Sequence, residues 1–283
     1  MKQFLMALFI FSCVLCVFPH QFISAHQPRI TESRQTIVPD PEISKAYYGM
    51  LTGKPDVYII QAGNPFDLYV NILVPDSAGQ KKDVSAEVVQ DGKQIALLDG
   101  VNFAWKQFYE PFGADTYFMG PEYKGHVDAG TYEIRVSSRD NDSKYSLAIG
   151  EIEAFDSKEV FSALTIIPEL KKNFFHVSPV GFIRSPFGWG LIVLMYFLAG
   201  ITVFIFRLAV KLFSKGTARR AHNNIGKSDR LLRFAISIGL LLWAITTSWS
   251  PILIFFSGFA FFEAVFSWCA FYQALGKNTC PLS

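Results

Sequence analysis

The stretch WKQFYEPFGADTYFMGPEY, residues 105–123, sets two carboxyl groups among aromatic rings: Glu110 and Asp115 alternate with Trp105, Tyr109 and Tyr117. Rings stack on flat apolar faces and carboxylates accept hydrogen bonds from hydroxyls, so these five residues are candidate contacts to a sugar-like or peptide-like ligand. The two carboxyls would serve glycoside hydrolysis only at a defined separation, which the sequence does not set. No nucleophile motif accompanies them. The expectation is a binding or structural module and not an enzyme. The plainer alternative is a long loop, too irregular and too rich in Gly and Pro to be a strand, packed over an open end of the domain.

Histidine offers a second chemistry. Removal of a leader after Ala25 would leave His26 as the first residue, and an N-terminal amine with its own imidazole chelates copper when a second histidine approaches. His126 is the candidate second ligand, and His176 also lies on that side. Asp140, Asn141 and Asp142 supply hard oxygen atoms suited to calcium, or a solvated turn whose side chains bond their own backbone. Cysteine offers a third. Cys13, Cys16, Cys269 and Cys280 all fall in or beside apolar stretches, and the expected extracytoplasmic part has none, which excludes a disulfide framework there. Cys269 and Cys280 are candidate redox thiols, able as thiolates to hold a soft metal or carry a persulfide. No pattern assigns a cofactor.

These residues need elements to position them. The organising stretch is 187–206, FGWGLIVLMYFLAGITVFIF, about twenty uncharged residues, the length a helix needs to cross ~30 Å of hydrocarbon. Before it, residues 1–25 carry Lys2, an apolar run over 4–18 and a polar break, the order of a secretory signal peptide. Residues 26–155 read as an all-β, jelly-roll-like extracytoplasmic sandwich, with candidate strands at 47–51, 56–61, 66–74, 84–90, 94–98, 130–138 and 144–149. Tyr132, Ile134 and Val136 alternate with Glu133 and Arg135, so one face is expected buried and the other wet. Asp91 and Gly92 predict a tight hairpin turn.

Residues 156–186 form a juxtamembrane segment in which Val160, Phe161, Leu164, Ile167 and Leu170 recur at helical spacing. Pro168 is expected to break or kink that helix. It either lies on a membrane surface or packs against the sandwich. The loop 207–230 carries Arg207, Lys211, Lys215, Arg219, Arg220, Lys227 and Arg230 against Asp229 alone, which places it on the cytoplasmic side. Two further spans at 231–249 and 252–271 then make three transmembrane helices, and the tail 272–283 returns to the cytoplasm. Trp249 and Trp268 fall near the expected interfaces. Glu263 falls near the middle of the third span, where it needs a partner such as Ser237 or Thr246. The partners expected are the lipid bilayer and an extracytoplasmic ligand. A net charge of +2 with the basic residues crowded beside the spans gives no reason to expect nucleic acid.

Two segments carry resemblances. Residues 128–150, DAGTYEIRVSSRDNDSKYSLAIG, resemble the closing hairpin of the bacterial pre-peptidase C-terminal domain family, which implies the sandwich fold. Asn224, Gly226, Asp229, Arg230 and Arg233, followed by Cys269, Tyr272, Gly276, Thr279 and Cys280, resemble the YgaP-like inner-membrane domain family. There an N-x-G-x-x-D-R-x-x-R start leads into a transmembrane hairpin closed by C-P-x-Y-x-x-x-G-x-x-T-C; Ala270 stands here in place of that proline. The resemblance implies a bacterial inner membrane and a homodimer through the hairpin. Read from the residues, Asp229 is expected to cap the helix start and Arg230 and Arg233 to reach anionic headgroups.

Overall fold

The computed structural model describes residues 26–154, 156–213 and 223–280, which fall into two compact units dividing between Ser185 and Pro186. The expected leader, with Cys13 and Cys16, lies outside the described residues, as do Lys215, Arg219 and Arg220 of the basic loop.

The first unit is built on eleven strands: β1 Gln27–Ile30, β2 Gln35–Ile37, β3 Lys45–Met50, β4 Asp56–Ala62, β5 Phe66–Pro75, β6 Ser85–Gln90, β7 Lys93–Leu98, β8 Lys106–Glu110, β9 Asp115–Val127, β10 Gly130–Ser137 and β11 Lys144–Ile149. They form a six-stranded sheet, β1-β3-β11-β5-β9-β8, and a five-stranded sheet, β2-β4-β10-β6-β7. Alternation sends Leu68, Val70, Ile72 and Val74 of β5 and Tyr132, Ile134 and Val136 of β10 into the core between them. Tyr58 and Tyr145 meet there through their hydroxyls at 2.8 Å, and the Tyr145 hydroxyl donates to Asp56 at 2.7 Å. Burial pushes the Tyr58 phenol up to about 12. β6 and β7 turn at Asp91 and Gly92, both at positive φ.

Three expectations need correction. Residues 105–123 are not a loop: β8 and β9 form a hairpin, and β9 pairs with β5 inside the six-stranded sheet. Gly120 and Pro121 are tolerated because the β5–β9 ladder shifts register between Asn71 and Leu73, where the Asn71 side chain donates to both of their carbonyls at 3.3 Å. The second correction is that the outer face of the six-stranded sheet is wet only in part, at Asp67, Lys124 and His126. Along β11 and from Val70 to Pro75 of β5 both faces are buried, because a helix covers the outer one.

That helix, α1 Ser157–Asn173, starts at Asp156, whose carboxylate accepts from the Glu159 N–H at 2.8 Å. It runs through Pro168 without a break, which is the third correction. Of its two expected resting places it takes the sandwich: Ala163, Leu164, Ile167 and Leu170 are buried, and Leu170 packs with Leu73, Tyr117 and Ala148 of the sheet. A short 3-10 segment, Pro179–Arg184, follows.

The second unit holds α2 Pro186–Phe213, α3 Lys227–Thr247, α4 Pro251–Phe266 and the short α5 Ala270–Ala274. By length and composition α2 and α3 are able to cross a membrane. Three spans were expected, but α4 has 16 residues and rises only about 24 Å. α4 packs against both α2 and α3. Gly258 lets Tyr196 of α2 approach, Tyr196 and Ser257 share a hydrogen bond of 2.8 Å, and Ser257 donates to the Ser237 carbonyl at 2.8 Å. Leu231, Ile238, Leu242 and Trp243 point outward. Trp249 and Trp268, expected at interfaces, are instead buried among the helix ends.

Candidate functional site

The period of two along each strand decides what faces α1. Tyr48 of β3, Asn71 and Leu73 of β5, Ser146 and Ala148 of β11, Phe108 and Glu110 of β8, and Asp115, Tyr117 and Met119 of β9 all project from the outer face of the six-stranded sheet. Ile167 and Leu170 of α1 and Phe175 close over them, leaving a cavity of about 330 Å³ that His26, Glu151 and Glu153 also line. That is room for roughly ten waters at liquid density and lies at the small end of ligand pockets.

The polar groups of this cavity are held in place. Lys171 of α1 is almost wholly buried and donates to Asp115 at 2.7 Å and to the Ala114 carbonyl at 3.2 Å. Ala114 occupies the left-handed region, φ 56°, where a residue with a Cβ costs roughly 1–2 kcal/mol. The Lys171 ammonium thus steadies the β8–β9 turn. Burial pushes the Asp115 carboxyl up, and Lys171 opposes that shift. Glu110 accepts from the backbone N–H groups of Phe112 and Gly113 at 2.5 and 2.6 Å. Burial nevertheless raises its carboxyl to about 7, against the pull of those two amides; Asp115 adds to the rise and Lys171 counters it. The Tyr48 and Tyr117 hydroxyls lie 3.0 Å apart, and burial keeps both phenols protonated. At the tip of the turn, the Ser185 hydroxyl donates to the Phe112 carbonyl at 2.6 Å.

Of the five residues expected to contact a ligand, Glu110, Asp115 and Tyr117 come together in this cavity and Trp105 and Tyr109 do not. Trp105 belongs to the other side of the sheet: it packs on the core between the sheets, over Gly120, and its indole N–H donates to the Gly100 carbonyl at 2.8 Å. Tyr109 alternates away from Glu110 and is exposed. Lys171, Tyr48 and Asn71 were not foreseen. Position 171 is seven residues beyond Leu164 and four beyond Ile167, on the apolar stripe of α1, and that spacing was the signal for a buried lysine.

The histidines do not meet. His26, at the start of β1, hydrogen-bonds Ser44, and burial lowers its pKa. His126, on β9, pairs with Asp67 at 2.9 Å. Four inter-strand spacings separate β1 from β9, on the order of 20 Å, so a copper ion shared by the two is incompatible with this sheet order. Among the described residues no group of three or more His, Cys, Asp and Glu is placed to hold a metal ion. The calcium reading of residues 140–142 is corrected too: the Lys81 ammonium bridges Asp140 and Asp142 at 2.9 Å each, and Asn141 caps its own turn by accepting from the Ser138 N–H.

In the second unit the motif residues turn inward. The Asn224 side chain accepts from the Cys269 N–H at 2.8 Å and donates to the Cys269 carbonyl at 2.9 Å. Gly226 admits the tail: a Cβ there would stand 2.2 Å from the Thr279 carbonyl oxygen. Asp229 makes no cap at the start of α3; it accepts from the Thr279 hydroxyl at 3.2 Å and lies 3.4 Å from Arg233. Arg230 donates to the Ala264 carbonyl at 3.0 Å, and Arg233 pairs with Glu263 and lies over the Tyr272 ring. Glu263 therefore finds Arg233 and not Ser237 or Thr246. Cys269 is a buried free thiol within hydrogen-bonding reach of Glu263, and Cys280 is a partly exposed one.

Residues 221–283 match the family described as inner membrane protein YgaP-like, transmembrane domain. No curated protein matches the chain. Among solved structures, the pre-peptidase C-terminal domain of collagenase from Bacillus anthracis is similar at 11% identity and TM-score 0.25, over 44% of this chain and 95% of that one. CorA, a surface-associated copper-binding protein of Methylomicrobium album BG8, is similar at 7% identity and TM-score 0.23, over 44% of this chain and 100% of that one. A beta-glucosidase from Paenibacillus barengoltzii is similar at 8% identity and TM-score 0.22, over 44% of this chain and 13% of that one. Likenesses at these scores carry no argument about function.

Proposed function

We propose that this chain, whose residues 221–283 match the YgaP-like transmembrane family, is a membrane-anchored binding module that presents a small-molecule pocket on the extracytoplasmic side of a bacterial inner membrane. The observation that carries this reading is the 330 Å³ cavity between the outer sheet face and α1, with fixed polar groups converging among aromatic rings. Binding is supported by the state of those groups: Asp115 is held by Lys171 and Glu110 by the turn amides, so both are fixed in place among the rings. The hairpin of α3 and α4, with α2, anchors the module; its outward apolar side chains suit lipid or a second copy. A thiol role is supported by one observation, the Cys269 sulfur beside Glu263 and Arg233.

The test has two parts. Single cysteines at Lys93 and Arg220, in a chain whose native cysteines are serine, should react with an impermeant maleimide on intact cells only at position 93. A fragment screen by thermal shift on the full chain should give hits that the cavity-filling Ala148→Phe variant loses. Labelling at 220, or hits indifferent to the filled cavity, sinks the proposal.

A further inference from the structure

The proposed pocket has a charge preference that its lining residues state, and this preference rests on the pocket reading of the chain's function. Four carboxyl groups line the cavity, Glu110, Asp115, Glu151 and Glu153, and no lysine or arginine is among its lining residues. Lys171 is spent on Asp115 at 2.7 Å. Glu151 meets Lys124 at 2.5 Å on the exposed side, and Lys124 does not line the cavity. Glu110 is held by neutral donors, the two turn amides. Burial favours the neutral form of the His26 imidazole. The other walls are partly aromatic, with Tyr48, Tyr69, Phe108, Tyr117 and Phe175, and partly aliphatic, with Leu73, Met119 and Leu170 among others. A cation is attracted by carboxylates and by the faces of such rings together, whereas an anion would meet both as repulsion.

We infer that the cavity takes a small organic ammonium ion with an apolar body, its charged end at Glu110 and its body among Tyr48, Tyr117 and Phe175. A neutral molecule of the same shape gains only the burial. An anion loses on both counts.

Glu110 gives this inference its own signature. The titratable and charged groups facing it are Asp115 and Tyr117 of β9, Tyr48 of β3 and Lys171 of α1. With its carboxyl at about 7, Glu110 is partly protonated at neutral pH, and an arriving ammonium displaces that proton. Affinity for a cation therefore rises as pH increases through 7, and binding releases protons to the buffer.

The experiment compares benzylamine, benzyl alcohol and benzoate, of nearly equal size, on the full chain in detergent micelles by saturation-transfer NMR and calorimetry. Benzylamine is expected to bind about tenfold tighter than benzyl alcohol, with benzoate weakest. Its calorimetric heat should depend on the ionisation enthalpy of the buffer. Glu110→Gln should erase the preference for the amine over benzyl alcohol and the buffer dependence. Benzyl alcohol or benzoate binding as tightly as benzylamine would overturn the cation assignment and leave the pocket standing, provided Ala148→Phe still abolishes binding. Probes that bind Ala148→Phe as well as wild type, or that bind neither, would overturn the pocket itself and this inference with it. Ala46→Leu, on the same wall, repeats the comparison if Ala148→Phe fails to fold.

Discussion

Lys171 is the residue on which the candidate site turns. Its ammonium is nearly sealed from solvent and its direct ion-pair partner is Asp115. Removing one partner of such a pair strands the other, so Lys171→Met should cost about 3 kcal/mol or more in urea denaturation of the strand-built unit. Adding Asp115→Leu should return most of that loss, since a matched apolar pair leaves no orphan charge. Glu110 sets a pH dependence of definite sign. Its carboxyl goes from 4.5 unfolded to about 7 folded, so the native state binds the proton more tightly. The resulting stabilisation is complete below about pH 4.5 and is lost as pH climbs through 7, a span on the order of 3 kcal/mol. Thermal melts of wild type should fall across that window, and those of Glu110→Gln should be flatter. The alternation of Glu110, Asp115 and Tyr117 with aromatic rings makes these three legible from sequence. Trp105 and Tyr109 mislead, because the Gly and Pro residues around them hide the strand period that sorts one face from the other.

Among the elements, the β8–β9 hairpin is the one that local pattern conceals. Gly120 and Pro121 read as breakers, yet the place where they sit is a register shift satisfied by Asn71, a partner some fifty positions away in sequence. Non-local pairing of that kind leaves no local signal, whereas the Asp91–Gly92 turn, a local device, is plain. The YgaP-like segment shows the opposite case. Its motif is legible as a pattern, but its physical purpose is not: Asn224, Gly226, Asp229, Arg230 and Arg233 tie the start of α3 to the end of α4 and to the tail. Asn224→Ala removes both side-chain bonds to the Cys269 backbone, leaving its carbonyl the Gln273 N–H. Alkylation of Cys269 in micelles should then speed up about tenfold or more, while Cys280, already partly exposed, changes little. An unchanged Cys269 rate would mean that other contacts hold the turn.

At the scale of the whole molecule, composition alone separates the halves: turn-punctuated β-prone runs before Ser185, and long apolar helices after it. What composition does not convey is that the strand-built half is incomplete at its last strand. Tyr48, Leu73, Tyr117 and Ala148 are covered only when α1 lies down on them, and Lys171 is supplied from the same helix. A chain ending at residue 154 would keep both sheets, lose the pocket and expose an aromatic wall to water. The cover is also synthesised after every strand it lies on. There is therefore an interval in which the strands can assemble while their sticky flank stays bare, and it closes only with the arrival of residues 157–173.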